Sequence, residues 1–248
     1  MTATLYVIPA SPPCLAVAAA FRLKGVPFRQ IELPPVLHVV HQKARFGDSH
    51  VPSAVLGRQK VSGSTMIMRR LETIQPRPAL FGRDGNEEAE TWADEQLQAI
   101  GRRLVWAALS RRPEAMPSLL RDSKLPMPAP VAKAAGAAVT PLAVRRNGSH
   151  DAAVQADLAT LSDLTLARIE LWIERGVIGT DEPTAADLQI AAVIGLLLRI
   201  EDVATLIAPH ERIIALSRRW FPDYPGHVPA GTFPADWLPK TDRPTAAT

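Results

Sequence analysis

Apolar and polar positions change rhythm along the chain, and the first 75 or so residues mix two periods. Thr4-Leu5-Tyr6-Val7-Ile8 is a short apolar, β-branched run stopped by Pro9, the pattern of a buried strand. Residues 14–24 are alanine-rich and end at Gly25, with Pro27 just beyond, which reads as a helix with its stop signal. Residues 28–33, with Ile31 and Leu33 on one face, read as a second strand, and residues 36–46, opening at Val36, as a short helix. Two more short strands, 53–56 and 59–61, meet at Gly57-Arg58, and a helix over 65–73 follows. The order β-α-β-α-β-β-α calls for a mixed sheet with helices on its faces.

Pro76-Arg77-Pro78 marks a linker, and beyond it no strand pattern recurs. Residues 87–110 carry Leu97, Ile100, Leu104 and Ala108 at helical spacing, and residues 151–176 carry Leu158, Leu161, Leu164, Ala167 and Leu171 likewise. Residues 184–200 are apolar on nearly all sides, so that helix should be central. The Pro- and Ala-rich stretch 113–150 yields no assignment, and the tail 221–248 reads as irregular. Two units follow: an α/β domain over 1–78 and an all-helical domain over 84–240.

With 248 residues, 47% hydrophobic and 21% charged, the composition suits a soluble globular protein and excludes collagen-like, wholly disordered and polytopic membrane chains. The apolar run 188–198 is followed at once by Arg199, Glu201 and Asp202, and it is shorter than the ~20 residues a bilayer needs. No membrane partner is expected. The single cysteine, Cys14, excludes an intramolecular disulfide and any Cys-based zinc cluster, and points to a reducing, cytoplasmic setting. A net charge of +3 is too mild to argue for nucleic acid, and the arginine pairs from Arg69-Arg70 to Arg218-Arg219 are scattered as on solvated helix faces. The six histidines show no metal-ligand spacing, so no metal is expected.

Three places can carry chemistry. Ser11-Pro12-Pro13-Cys14 follows the first strand and opens the first helix, whose N-terminus favours an anion such as a thiolate. Because the prolines lack N–H groups, Cys14 and Leu15 supply the remaining donors; the plainer reading is that Ser11 caps the Cys14 N–H. Val51-Pro52 begins a strand, where a cis bond would turn the Val51 backbone outward to pair with an extended peptide and a trans bond would not. Ser62-Gly63-Ser64-Thr65 opens another helix with Ser64 as N-cap, and such free donors beside a hydroxyl suit a carboxylate. The plainer reading there is a cap with no ligand.

In this order and spacing, the three sites resemble the thioredoxin-like domain of cytosolic glutathione transferases. Thr184-Ala185-Ala186-Asp187 is similar to that family's buried capping box at the head of its central helix. The resemblance implies a thioredoxin-like α/β domain with a mixed four-stranded sheet, followed by an all-α domain. It implies a cytoplasmic homodimer with a detoxification role, whose co-substrate is glutathione and whose partner molecule is an apolar electrophile. Ser11 would hydrogen-bond the glutathione sulfur, Val51 before Pro52 would pair with its cysteinyl part, and Ser64 and Thr65 would hold its γ-glutamyl carboxylate. His50 would add a polar contact, and Trp106 would wall the electrophile pocket.

Two departures stand out. Gly63 replaces the acidic residue that usually precedes the serine, and Leu15-Ala16 replaces the arginine that commonly follows the first motif. A related low-molecular-weight thiol therefore stays open beside glutathione. So do a non-catalytic binding or scaffold protein of the same fold, and thiol–disulfide exchange through Cys14.

Overall fold

β1 (Ala3–Val7) is almost wholly buried and lies inside a four-stranded sheet of order β2-β1-β3-β4. It pairs in parallel with β2 (Phe28–Glu32), setting Tyr6 opposite Ile31. It pairs antiparallel with β3 (Ser53–Leu56), setting Tyr6 opposite Ser53, and β3 runs antiparallel to β4 (Gln59–Ser62) with Ser53 opposite Ser62. The sheet is mixed, as the alternation of elements requires. The computed structural model describes residues 3–35, 38–125 and 129–239; Val36, where the second helix was expected to begin, and the tail from residue 240 lie outside them.

Three helices belong to this sheet: α1 (Pro12–Leu23), α2 (His38–Phe46) and α3 (Ser64–Ile74). Helix α1 stops where Gly25 turns to φ +62°, and the N–H groups of Gly25 and Val26 donate back to Arg22 and Phe21 carbonyls. Its buried alanines pack against Ala185, Leu188 and Ala192 of the central helix, small side chains allowing a close approach.

The helical half opens with α4 (Asn86–Trp92), a π turn over Ala93–Leu97 and α5 (Gln98–Arg111), one rod with Leu97, Ile100, Leu104 and Ala108 buried as their spacing predicts. The stretch that yielded no assignment contains α6 (Met116–Leu119) and α7 (Ala129–Asn147), and α7 packs along α5 despite its internal Pro141. Alanine-rich and without an amphipathic period, α7 leaves no signature for a pattern argument. Then come α8 (Asp151–Thr160), a π turn over Leu161–Thr165 and α9 (Leu166–Glu174). Leu158 and Leu161 are buried as expected, but Leu164 is 67% and Leu171 41% exposed, while Leu166, Ile169 and Trp172 face inward. The π turn inserts one residue into the helical count and rotates the buried face, which a 3.6-residue period cannot anticipate.

Helix α10 (Ala185–Leu197) is buried along its whole length. The expected capping box opens it: the Thr184 N–H donates to Asp187 Oδ2 at 2.7 Å, and the Asp187 N–H donates to Thr184 Oγ1 at 3.4 Å. Asp187 also accepts from the Gly179 N–H at 2.6 Å, and the Ala185 N–H donates to the Leu80 carbonyl at 3.0 Å. Two further helices, α11 (Glu201–Ile207) and α12 (Glu211–Trp220), complete the unit. No described helix is long and apolar enough to cross a membrane.

Candidate active site

Strand register decides what meets here. With Tyr6 opposite Ser53 and Ser53 opposite Ser62, the end of β1, the start of β3 and the end of β4 share one edge of the sheet. Ser11, Val51-Pro52 and Ser64-Thr65 extend from those three ends. The Gly63 N–H donates to the Pro52 carbonyl at 2.9 Å, and the Ser53 and Ser62 hydroxyls lie 3.0 Å apart, so the loops are tied together. The Val51–Pro52 bond is cis, and among the described residues neither the Val51 N–H nor its C=O has a hydrogen-bond partner. His50 is exposed; its ring contacts the Asp48 carboxylate and its carbonyl accepts from Ser53 Oγ at 3.2 Å.

Ser11 is the residue before α1, extended at φ −81° and half-buried, but its hydroxyl caps no backbone N–H. That leaves the Cys14 N–H without a backbone partner among the described residues, at the positive end of a 12-residue helix. Cys14 itself is only 2% exposed, and burial pushes its thiol up to about 11 against the hydrogen bonds of Ser11 and Ile8. A reactive cysteine needs an accessible thiolate, whereas Cys14 is a buried thiol in the α1 core, which disfavours the exchange role.

The third place departs from expectation. Gly63, at φ +91°, occupies the N-cap position and Ser64 is the first helical residue of α3. The Ser64 hydroxyl donates to Asp94 Oδ1 at 2.7 Å, and the Thr65 hydroxyl donates to Glu90. Both acids come from the α4–α5 rod. Gln189 of α10 bridges them, its amide donating to Glu90 at 3.0 Å and to Asp94 at 3.3 Å, and Gln98 donates to Gln189 at 2.6 Å. Burial raises the Glu90 carboxyl, against the bonds from Thr65 and Gln189. None of these partners was singled out from sequence. Yet Glu90, Asp94 and Gln98 are spaced by four, and Gln189 interrupts an otherwise apolar helix; those were the available signals.

A cation, Arg146, lies beside the His50 loop. Burial, with the charges of Arg146 and His50, pushes His38 at the head of α2 down to about 4. Arg146, at the end of α7, donates to Ser49 Oγ at 3.5 Å, one residue before His50. Trp106 is half-buried on α5 and packs against the helical core. It does not line the cavity of about 270 Å³ behind the β1–α1 loop, where Ile8, Leu15 and Leu119 stand beside the charged Arg22, Glu32 and Asp223. Among the described residues no cluster of His, Cys, Asp and Glu could hold a metal ion.

Residues 5–79 match the family model of the glutathione S-transferase N-terminal domain. That portion of the chain is similar to the glutathione S-transferase N-terminal domain. Solved structures extend the likeness beyond it. A glutathione S-transferase from Rhodospirillum rubrum is 17% identical over 88% of this chain and 87% of its own, with a TM-score of 0.57. A beta-etherase from Sphingobium sp. strain SYK-6 is 17% identical over 89% and 95%, also with a TM-score of 0.57. A glutathione S-transferase from Methylobacterium radiotolerans, solved with glutathione sulfonate, is 20% identical over the full length of both chains, with a TM-score of 0.54. At such identities the likeness establishes the glutathione transferase fold. A comparison with curated protein sequences found no match.

Proposed function

We propose that this chain binds glutathione or a related low-molecular-weight thiol at the shared sheet end and activates its sulfur for conjugation to an apolar electrophile. One observation carries the reading: the Ser11 hydroxyl stands at the N-terminus of α1, with the unpaired Val51 backbone in the neighbouring loop. A helix N-terminus and a hydroxyl donor both favour sulfur as thiolate, and an open N–H and C=O pair suits the extended backbone of a peptide thiol. The Arg146 guanidinium beside Ser49 suits a thiol carrying carboxylates. Catalysis then consists of stabilising the thiolate and holding two reactants together.

A homodimer in the cytoplasm remains part of the proposal; in its favour, Met66 is 59% exposed on α3. Light scattering on the purified chain tests the assembly. For the activity, the purified chain is assayed with glutathione and a panel of apolar electrophiles, alongside thermal shift with glutathione. Turnover with a shift supports the proposal; neither turnover nor a shift ends it.

A second reading has its own observation. Ser64 and Thr65, the hydroxyls assigned to the thiol's carboxylate, already donate to Asp94 and Glu90, and Gly63 supplies no acid. That favours a binding protein of the same fold, which would take up glutathione or an apolar ligand without turnover.

A further inference from the structure

The segment after α12 folds back across α10 to the loop that carries Ser11. Tyr224, 3% exposed, donates its hydroxyl to the Ala10 carbonyl at 2.7 Å, across 214 positions of chain. Ala10 sits at φ +55°, among the described residues the one non-glycine at positive φ. A residue with a Cβ holds that conformation only where its surroundings impose it, and such strain concentrates at functional loops. The Tyr224 ring seats on Gly195 of α10, where an added Cβ would lie 2.6 Å from Cδ2. At the far end of the same segment, the Asp202 carboxylate accepts the N–H groups of Gly231, Thr232 and Phe233, each at 2.8 Å. Between the two, the Val228 N–H donates to the Arg199 carbonyl at 2.7 Å. The segment is thus a strap, pinned by Asp202 and ending on the residue next to Ser11.

We propose that Tyr224 is a positioning residue for Ser11: through the Ala10 carbonyl, the anchored strap holds the left-handed turn that aims the Ser11 hydroxyl and the head of α1. Its chemical consequence rests on the thiol-activating reading above; the tether itself rests only on geometry. Burial keeps the Tyr224 phenol protonated, so the donor persists across the working pH range.

Tyr224→Phe keeps the ring on Gly195 and removes only the donor. Amide hydrogen exchange at Ser11 and Leu15, which donate to the Ile8 and Ser11 carbonyls, is expected to quicken about fivefold to tenfold, the loss of one hydrogen bond, with α10 unchanged. Asp202→Asn, which frees the strap at its other end, should quicken the same amides. Unchanged loop exchange in Tyr224→Phe, or Asp202→Asn loosening the strap while the Ala10 loop stays still, overturns the tether. In conjugation with glutathione, Tyr224→Phe should lower kcat about fivefold to tenfold, leave KM for the thiol within about twofold and move the pH midpoint of kcat upward. A quickened loop with unaltered kcat and pH midpoint overturns the positioning role. Wild-type protein that neither binds nor turns over a thiol sinks the thiol reading, and the exchange data then decide the tether alone.

Discussion

The Ser64 hydroxyl donates to Asp94 Oδ1 at 2.7 Å, joining the first residue of the sheet domain's last helix to the rod of the helical half. Thr65 and Glu90 repeat the contact one residue later, and Gln189 binds both acids from below. The boundary between the two halves is therefore sealed by a buried polar network at the place where an incoming carboxylate was expected. Removing one donor tests its worth. Ser64→Ala should lower stability by about 1 kcal/mol in urea denaturation, because Asp94 keeps its amide partners and loses only one bond.

Glu90 carries the pH sensitivity of that network. Burial raises its carboxyl above the ordinary 4.5, with Asp94 adding to the rise. An acid whose pKa is higher folded than unfolded holds its proton more tightly in the folded state. Stability contributed by Glu90 therefore falls as pH climbs from the ordinary glutamate value through the raised one, and the penalty is complete above it. Glu90→Gln should raise the thermal midpoint at pH 7, with the gain shrinking toward pH 4. A gain that is equal at both pH values would assign the effect to packing.

Cys14 should be silent in the folded protein. With its thiol pushed up to about 11 and 2% exposed, it should resist iodoacetamide at pH 7.5 and become labelled only in denaturant. Mass spectrometry after exposure to oxidised glutathione should likewise find no adduct on native protein.

Ser11→Ala separates chemistry from folding. The Ser11 hydroxyl caps no backbone group, so its loss should leave the thermal midpoint within about 2 °C. The conjugation rate should fall about tenfold or more, since a donor aimed at developing negative charge is removed. A large drop in midpoint would mean that the hydroxyl serves the fold.

Gly101 reports on the rod. A Cβ there would lie 2.8 Å from Val193 Cγ1 of α10, so Gly101→Ala should destabilise by about 1–3 kcal/mol, read from chemical denaturation.

Local pattern alone determined the elements whose reasons are local. Thr4–Ile8 is strand-like because β-branched and aromatic residues end at a proline, α1 stops because Gly25 tolerates a left-handed turn, and Thr184 and Asp187 cap α10 through atoms three residues apart. The alternation of those elements required a mixed sheet, and the family resemblance carried by Ser11, Val51-Pro52 and Ser64 implied that they serve one site. Tertiary structure alone decided what each group faces. It turned Leu164 and Leu171 outward through a π turn, gave the Ser64 and Thr65 hydroxyls to Asp94 and Glu90, buried Cys14 as a thiol and brought Tyr224 onto Ala10. The physical reason is range: caps, turns and periodicity act over a few residues, whereas burial, desolvation and hydrogen bonds between distant segments exist only once the chain has packed.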